Sequence, residues 1–323
     1  MRRTFVATAF ALAAVALGAC PMDDDPTTSP DGHVAADGGG SADSATRGST
    51  LTVEGTSGRE PADLTCIGQR TRPSAAGNDV TLQLPVISFG QRDAQGKPVT
   101  VTAAEVHVFS DNQIGADTDC SSGSCQKATL DSASGTFRFT VKDKAWFSYR
   151  VVAASSAGPP IITTLEHNVA PPQQGDSEWF NVILVPVLDG FVAASKTTRV
   201  AGSAVLAGRL VDCQGRAVSG AELRLYDAAG ARVDAAGSAR VVYFNDAGTA
   251  PDAARVDTNA DGRYAAANIA IASGRYRVEL WGRRDDKTAS ERVACEEVEL
   301  FADAMTNLRA RPLRKDAPDS CTK

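Results

Sequence analysis

The chain has 323 residues, 43% of them hydrophobic, with 33 Lys and Arg against 39 Asp and Glu for a formal net charge of -6 at pH 7. That balance, with no basic run or stripe, excludes the electrostatic footprint of a nucleic-acid binder. The length allows roughly two domains of ordinary size.

Arg2 and Arg3 precede an uncharged run from Thr4 to Ala19, the charged start and short apolar core of a secretion signal. The run is short for a membrane span. It closes on Leu17, Gly18, Ala19 and Cys20, an order that resembles the lipobox of bacterial lipoproteins. The resemblance implies removal of residues 1–19, a diacylglycerol thioether on Cys20, and residence in the cell envelope on the outer membrane or cell surface. One acyl chain binds a membrane marginally, whereas two or three hold stably.

From residue 20 to 50 the chain is rich in Gly, Ser and Thr, and carries Asp23, Asp24, Asp25, Asp31, Asp37 and Asp43 with almost no large apolar side chain. Such a segment cannot bury enough surface to offset its ordering entropy. It reads as a disordered, solvated tether.

Beyond the tether, apolar and polar residues alternate, as in Val80, Leu82, Leu84, Val86 and in Tyr276, Val278, Leu280. Period two marks half-buried strands, and turn clusters at 93–96, 155–160 and 259–262 punctuate them. No sustained helical period stands out. The expectation is an all-β chain.

An internal duplication is also legible. The turn 93–99 matches 212–218, and Ala104-Glu105-Val106-His107-Val108-Phe109 matches Ala221-Glu222-Leu223-Arg224-Leu225-Tyr226. Gly135 and Tyr149 stand as far apart as Gly262 and Tyr276, while the second copy is longer around 227–255. Two tandem β-sandwiches follow, at 51–190 and 199–313, joined through 191–198 and followed by a tail at 314–323.

The second copy resembles the carboxypeptidase regulatory-like domain over about 201–312. The resemblance rests on Gly208 to Asp212, the turn Gln214-Gly215, the strand from Ala221 to Leu225, the segment from Asp257 to Tyr264, and Gly274 to Val278. It implies a transthyretin-like Greek-key sandwich, with the first copy departing from the motif at Asp131 to Gly135. A fold is implied here rather than an activity.

Candidate sites are few. Asp257, Asn259, Asp261 and Gly262 fit the opening of an EF-hand-type calcium loop, but the twelfth position is Asn268 rather than Glu, and a tight β-turn demands the same residues. Only His33, His107 and His167 exist, and none builds a His-x-x-Glu zinc motif. No Gly-x-Ser-x-Gly elbow occurs, so neither a catalytic role nor a cofactor is expected. His107 is expected on a solvent face, with Val106 and Val108 inward. By the same parity Trp281 shares an outer face with Arg275, Arg277 and Glu279, and Tyr226 with Glu222 and Arg224. An aromatic beside hydrogen-bonding charges is how sandwiches stack on sugars, so Trp281 and Tyr226 are candidate glycan contacts, unless Trp281 merely covers an Arg stem.

With Cys20 assigned to lipid, Cys66, Cys120, Cys125, Cys213, Cys295 and Cys321 form an even set outside the cytoplasm and so suggest disulfides. The pairing is open. The favoured arrangement is Cys213 with Cys295, Cys120 with Cys125, and Cys66 with Cys321. The sequence thus points to a non-catalytic, lipid-anchored envelope protein with a structural, adhesive or protein-interaction role. The alternative is a carbohydrate-binding surface lipoprotein. Its expected partners are the membrane, through the lipid, and an envelope protein or polysaccharide.

Overall fold

The computed structural model describes residues 49–322, apart from 74–76, 111–113, 115–119, 156–157, 159, 172–178, 235–238 and 273. The signal segment, Cys20 and the tether up to residue 48 lie outside the described residues. Ser49 and Thr50 already belong to the folded body: Ser49 hydrogen-bonds Asp257, and the Thr50 hydroxyl donates to Asp286 at 2.7 Å.

Alternation becomes strand almost throughout. A hairpin of β1 (Thr52–Gly55) and β2 (Gly58–Pro61) leads into β3 (Asp79–Arg92), β4 (Pro98–Thr100), β5 (Ala104–Phe109), β6 (Gln126–Lys127), β7 (Thr129–Asp131) and β8 (Thr136–Lys142). Then come β9 (Phe147–Ala153), β10 (Thr163–Val169), β11 (Phe180–Val182) and one helix, α1 (Val185–Ala194). The second half holds β12 (Ala204–Leu210), β13 (Glu222–Tyr226), β14 (Arg240–Phe244), β15 (Pro251–Asp252), β16 (Arg263–Ile269), β17 (Tyr276–Gly282), β18 (Glu291–Val298) and β19 (Ala304–Ala310).

The duplication is written in the strand pairing. In the first copy β3 pairs antiparallel with β8 and parallel with β11, while β5, β9 and β10 pair in that order. In the second, β12 pairs antiparallel with β16 and parallel with β19, while β13, β17 and β18 pair in that order. The longer stretch of the second copy supplies β14 and β15 on the edge of β16. Each copy closes a sandwich. Leu84, Val86, Val106, Phe137, Phe139, Tyr149 and Phe180 fill one core, and Leu206, Leu223, Tyr264, Tyr276, Val278, Leu280 and Leu308 fill the other.

The two sandwiches are not beads joined by a linker. β19, the last strand, lies between β12 and β10 and pairs parallel with both, so one nine-stranded sheet runs through both halves. Along that sheet Glu166 stands opposite both Tyr149 and Asn307, and Asn307 opposite Ala207. The face carrying these residues bears the first core, while Leu206 and Leu308 point to the other face and the second core. The smaller sheets therefore cover opposite faces of one shared sheet.

The expected connector at 191–198 begins inside a helix, whose last four residues are 191–194. Pro186 opens α1, and Leu188 and Val192, four residues apart, bury against Val205, Ala267 and Met305. The apolar run 182–188 blends strand into helix and so hides the change of period. The boundaries at 51 and 314 also shift. Leu51, Val53 and Leu64 lie in the second core, and the Asp319–Cys321 turn docks on the second sandwich.

Candidate functional site

The face that carries the candidate glycan contacts Trp281 and Tyr226 is built on β13, β17 and β18. Glu222 pairs in register with Trp281, Arg224 with Glu279, and Tyr226 with Arg277. Glu279 is buried at 2% exposure, and its carboxylate accepts from Trp281 Nε1 at 2.8 Å and Arg292 at 2.9 Å and pairs with Arg277 Nε at 3.0 Å. The Arg224 guanidinium lies 4.2 Å over the Trp281 ring and is held by Glu222 at 3.1 Å. Arg277 lies 4.3 Å over Tyr226. Each aromatic thus has one face occupied by an arginine of its own sheet, a cation–π contact on a desolvated stem.

The C-terminal segment then covers part of this face. Arg277 donates to the Ser320 carbonyl at 3.2 Å, Arg292 to that of Cys321, and Cys321 is bonded to Cys295 on β18. The outer face is therefore a packed polar layer, which is why Glu279 is buried where parity alone places it in water.

The cysteines pair as Cys66 with Cys213, Cys120 with Cys125, and Cys295 with Cys321, so the expected bridges Cys213 to Cys295 and Cys66 to Cys321 are replaced. The reason is where the ends of the folded body go. The segment 62–70 lies against the turn after β12, with Cys213 N–H donating to the Asp63 carbonyl at 2.9 Å and Arg70 to the Cys213 carbonyl at 2.8 Å. Cys295, opposite Glu279 on β18, faces the C-terminal segment instead.

The acidic turn is spoken for by protein groups. Asp257 pairs with Arg255 at 3.3 Å and Asp261 with Arg263 at 3.4 Å. Buried Asn259 accepts from Arg263 N–H at 3.0 Å and donates to the Asn245 carbonyl at 2.8 Å. Gly262 takes φ 68°, closing the turn into β16. Residues 263–269 then run extended, so Asn268 is carried away and meets Val200 N–H at 2.9 Å. Among the described residues no group of three or more His, Cys, Asp and Glu could hold a metal. Gly262 N–H donates to the Asn259 carbonyl at 2.8 Å, so residues 259–262 form a β-turn.

His107 is 2% exposed rather than solvent-facing. It lies opposite Arg150 on β9 and 3.5 Å from Glu105. The face of β5 that carries His107 is covered too, because Phe109, two residues on, joins Ile114, Leu165 and Ala304 in a further apolar cluster. His167 is buried too.

Parity along the shared sheet would have found what motif reading missed. Arg309, Arg209 and Arg263 stand side by side on β19, β12 and β16. Nearby, burial pushes the Tyr149 hydroxyl pKa well above its usual value, with the adjacent Glu166 carboxylate adding to it; Tyr149 donates to Glu166 and accepts from Asn181 N–H at 3.0 Å.

No protein-family model matches the chain, and no curated protein matches its sequence. Solved structures with some likeness include a Bacillus anthracis TIE protein (12% identity, TM-score 0.19, 72% of this chain and 34% of that one). A Streptococcal ancillary pilin matches at 12% identity and TM-score 0.20, over 74% of this chain and 69% of its own. The major pilin SpaD of Corynebacterium diphtheriae matches at 9% and 0.19, over 69% and 67%. This chain thus spans about a third of the TIE protein. TM-scores near 0.2 mean that no common overall superposition exists, so these proteins lend it no role. No helix among the described residues is long and apolar enough to cross a membrane.

Proposed function

We propose that the chain is a non-catalytic lipoprotein of the cell envelope, tethered by acyl chains on Cys20, whose carboxypeptidase regulatory-like sandwiches form a rigid body for structural or adhesive contact. The observation that carries this reading is the cysteine pairing. Of the 7 cysteines in the chain, all but Cys20 are joined in disulfides within the folded body. Disulfides persist outside the reducing cytoplasm, which agrees with an exported chain. The seventh thiol, at the end of the lipobox-like run, is then the one left for lipid. The tether between it and Ser49 gives the body reach.

The test is detergent-phase partitioning of full-length protein from producing cells, with the mass of the N-terminal peptide. The expected result is a diacylated Cys20 peptide in the detergent phase, and a soluble, unacylated protein for Cys20→Ser. An aqueous wild-type protein without acyl mass would overturn the anchor. Trp281→Ala bears on the sugar alternative: with the ring capped by Arg224, binding to cell-wall and capsular glycans is expected to be unchanged.

A further inference from the structure

The shared sheet places like charges where a sheet should not. Arg309 and Arg209 are direct register partners on parallel neighbours β19 and β12, and Arg209 is in turn the partner of Arg263 on β16. Side chains two apart share a face, so the row continues the side of Val205, Ala207 and Met305 that α1 covers. Adjacent strands lie about 4.8 Å apart, and like charges directly opposite are destabilising.

Arg263 is committed: it donates to the Gly248 carbonyl at 3.0 Å, pairs with Asp261 at 3.4 Å and lies 5.5 Å over Phe89. Arg209 and Arg309 have no hydrogen-bond or ion-pair partner among the described residues. Arg209 is exposed, and partial desolvation and then the Arg309 charge lower its pKa. The carboxylates within electrostatic reach, Glu166 and Asp261, already hold Tyr149 and Arg263. Two arginines in register on neighbouring parallel strands are thus left without a protein partner among the described residues.

We propose that Arg209 and Arg309, flanked by Arg263, form a binding site for a phosphate-class oxyanion, whose oxygens bridge the two forks. Planar guanidinium groups bind such oxygens bidentately, and a bound anion would turn the repulsion into attraction. The shared chemistry has two sources, a soluble or polymer-borne phosphate and the phosphodiester of a lipid headgroup. The site rests on the sheet alone and stands whether or not Cys20 is acylated.

The experiment titrates the full chain with inorganic phosphate against chloride at matched ionic strength, by calorimetry and thermal melting. Wild type is expected to bind and melt higher in phosphate than in chloride. The R209Q/R309Q variant should melt in chloride no lower than wild type, since a repulsion is removed, and should bind phosphate about tenfold or more weakly, as loss of charge-assisted hydrogen bonds implies. Equal responses to phosphate and chloride, or an unchanged phosphate affinity in the variant, would overturn the site. If the variant melts lower, R209K serves in its place: it keeps the charge but loses a fork, so weaker phosphate binding supports the site and unaltered binding contradicts it. Phosphatidylglycerol vesicles, offered to Cys20→Ser protein so that no acyl chain contributes, identify the source. Vesicle binding lost with the two arginines assigns it to a headgroup; phosphate binding without vesicle binding assigns it to a soluble or polymer-borne phosphate.

Discussion

At the scale of single residues, the carboxylate most at odds with its place is Glu296. It is 3% exposed and meets Arg314 at 2.6 Å. Burial raises its pKa above the usual 4.5, against the pull of Arg314 and Arg72. A group whose folded pKa is raised binds more protons when folded, so stability declines as pH climbs from about 4.5 through the folded value. Asp131 and Asp285 act in the opposite sense: hydrogen bonds from Ser134, and from the backbone of Lys287, hold them below 3.8, so their contribution is present above that and is lost on acidification. Urea melts of wild type and Glu296→Gln across this range test the sign. The difference between them should move against wild type as pH rises above 4.5; parallel profiles would contradict it.

Gly208 shows how closely the seam is packed. A Cβ there would sit 2.1 Å from the Leu308 carbonyl oxygen and 2.6 Å from the Tyr264 hydroxyl, which itself donates to that carbonyl at 3.0 Å. Gly208→Ala is therefore expected to destabilise by about 1–3 kcal/mol, as overpacking does. Chemical denaturation measures it.

At the scale of elements, the edges carry the architecture. Period two was enough to place β3 and β17, and the repeated Gly-to-Tyr spacing was enough to expose the duplication. It could not show that β19 lies between β12 and β10. Alternation fixes which way a side chain points but not which edge a strand joins, and Thr306 and Leu308 read the same against either neighbour. α1 was hidden for a related reason, its apolar run continuing that of β11. The burial of Glu279 was not legible because parity says nothing of a distant segment folding over its face, and two of the three cysteine pairs were not because both ends of the folded body wrap onto the second sandwich. The turn at Asp257 to Gly262 was legible as a turn. Cys295 and Cys321 close a sequence separation of 26 residues, so Cys321→Ser should cost about 2–4 kcal/mol. It should also loosen the segment that meets Arg277 and Arg292, seen as faster amide exchange along β18. Unchanged stability would mean that the docked segment is held by its other contacts alone.

At the scale of the molecule, the shared sheet makes one body of two sandwiches. Trp146, between β8 and β9, adds to the joint, with Arg311 at 4.8 Å and Arg314 at 5.5 Å over its ring. Independent tandem domains unfold separately, whereas halves sharing a central strand lose it together. Scanning calorimetry of the oxidised chain tests this most directly. A single transition is expected, with calorimetric and van't Hoff enthalpies equal and its midpoint lowered as a whole by Gly208→Ala. Two separable transitions, with only the later one moved by that substitution, would contradict it.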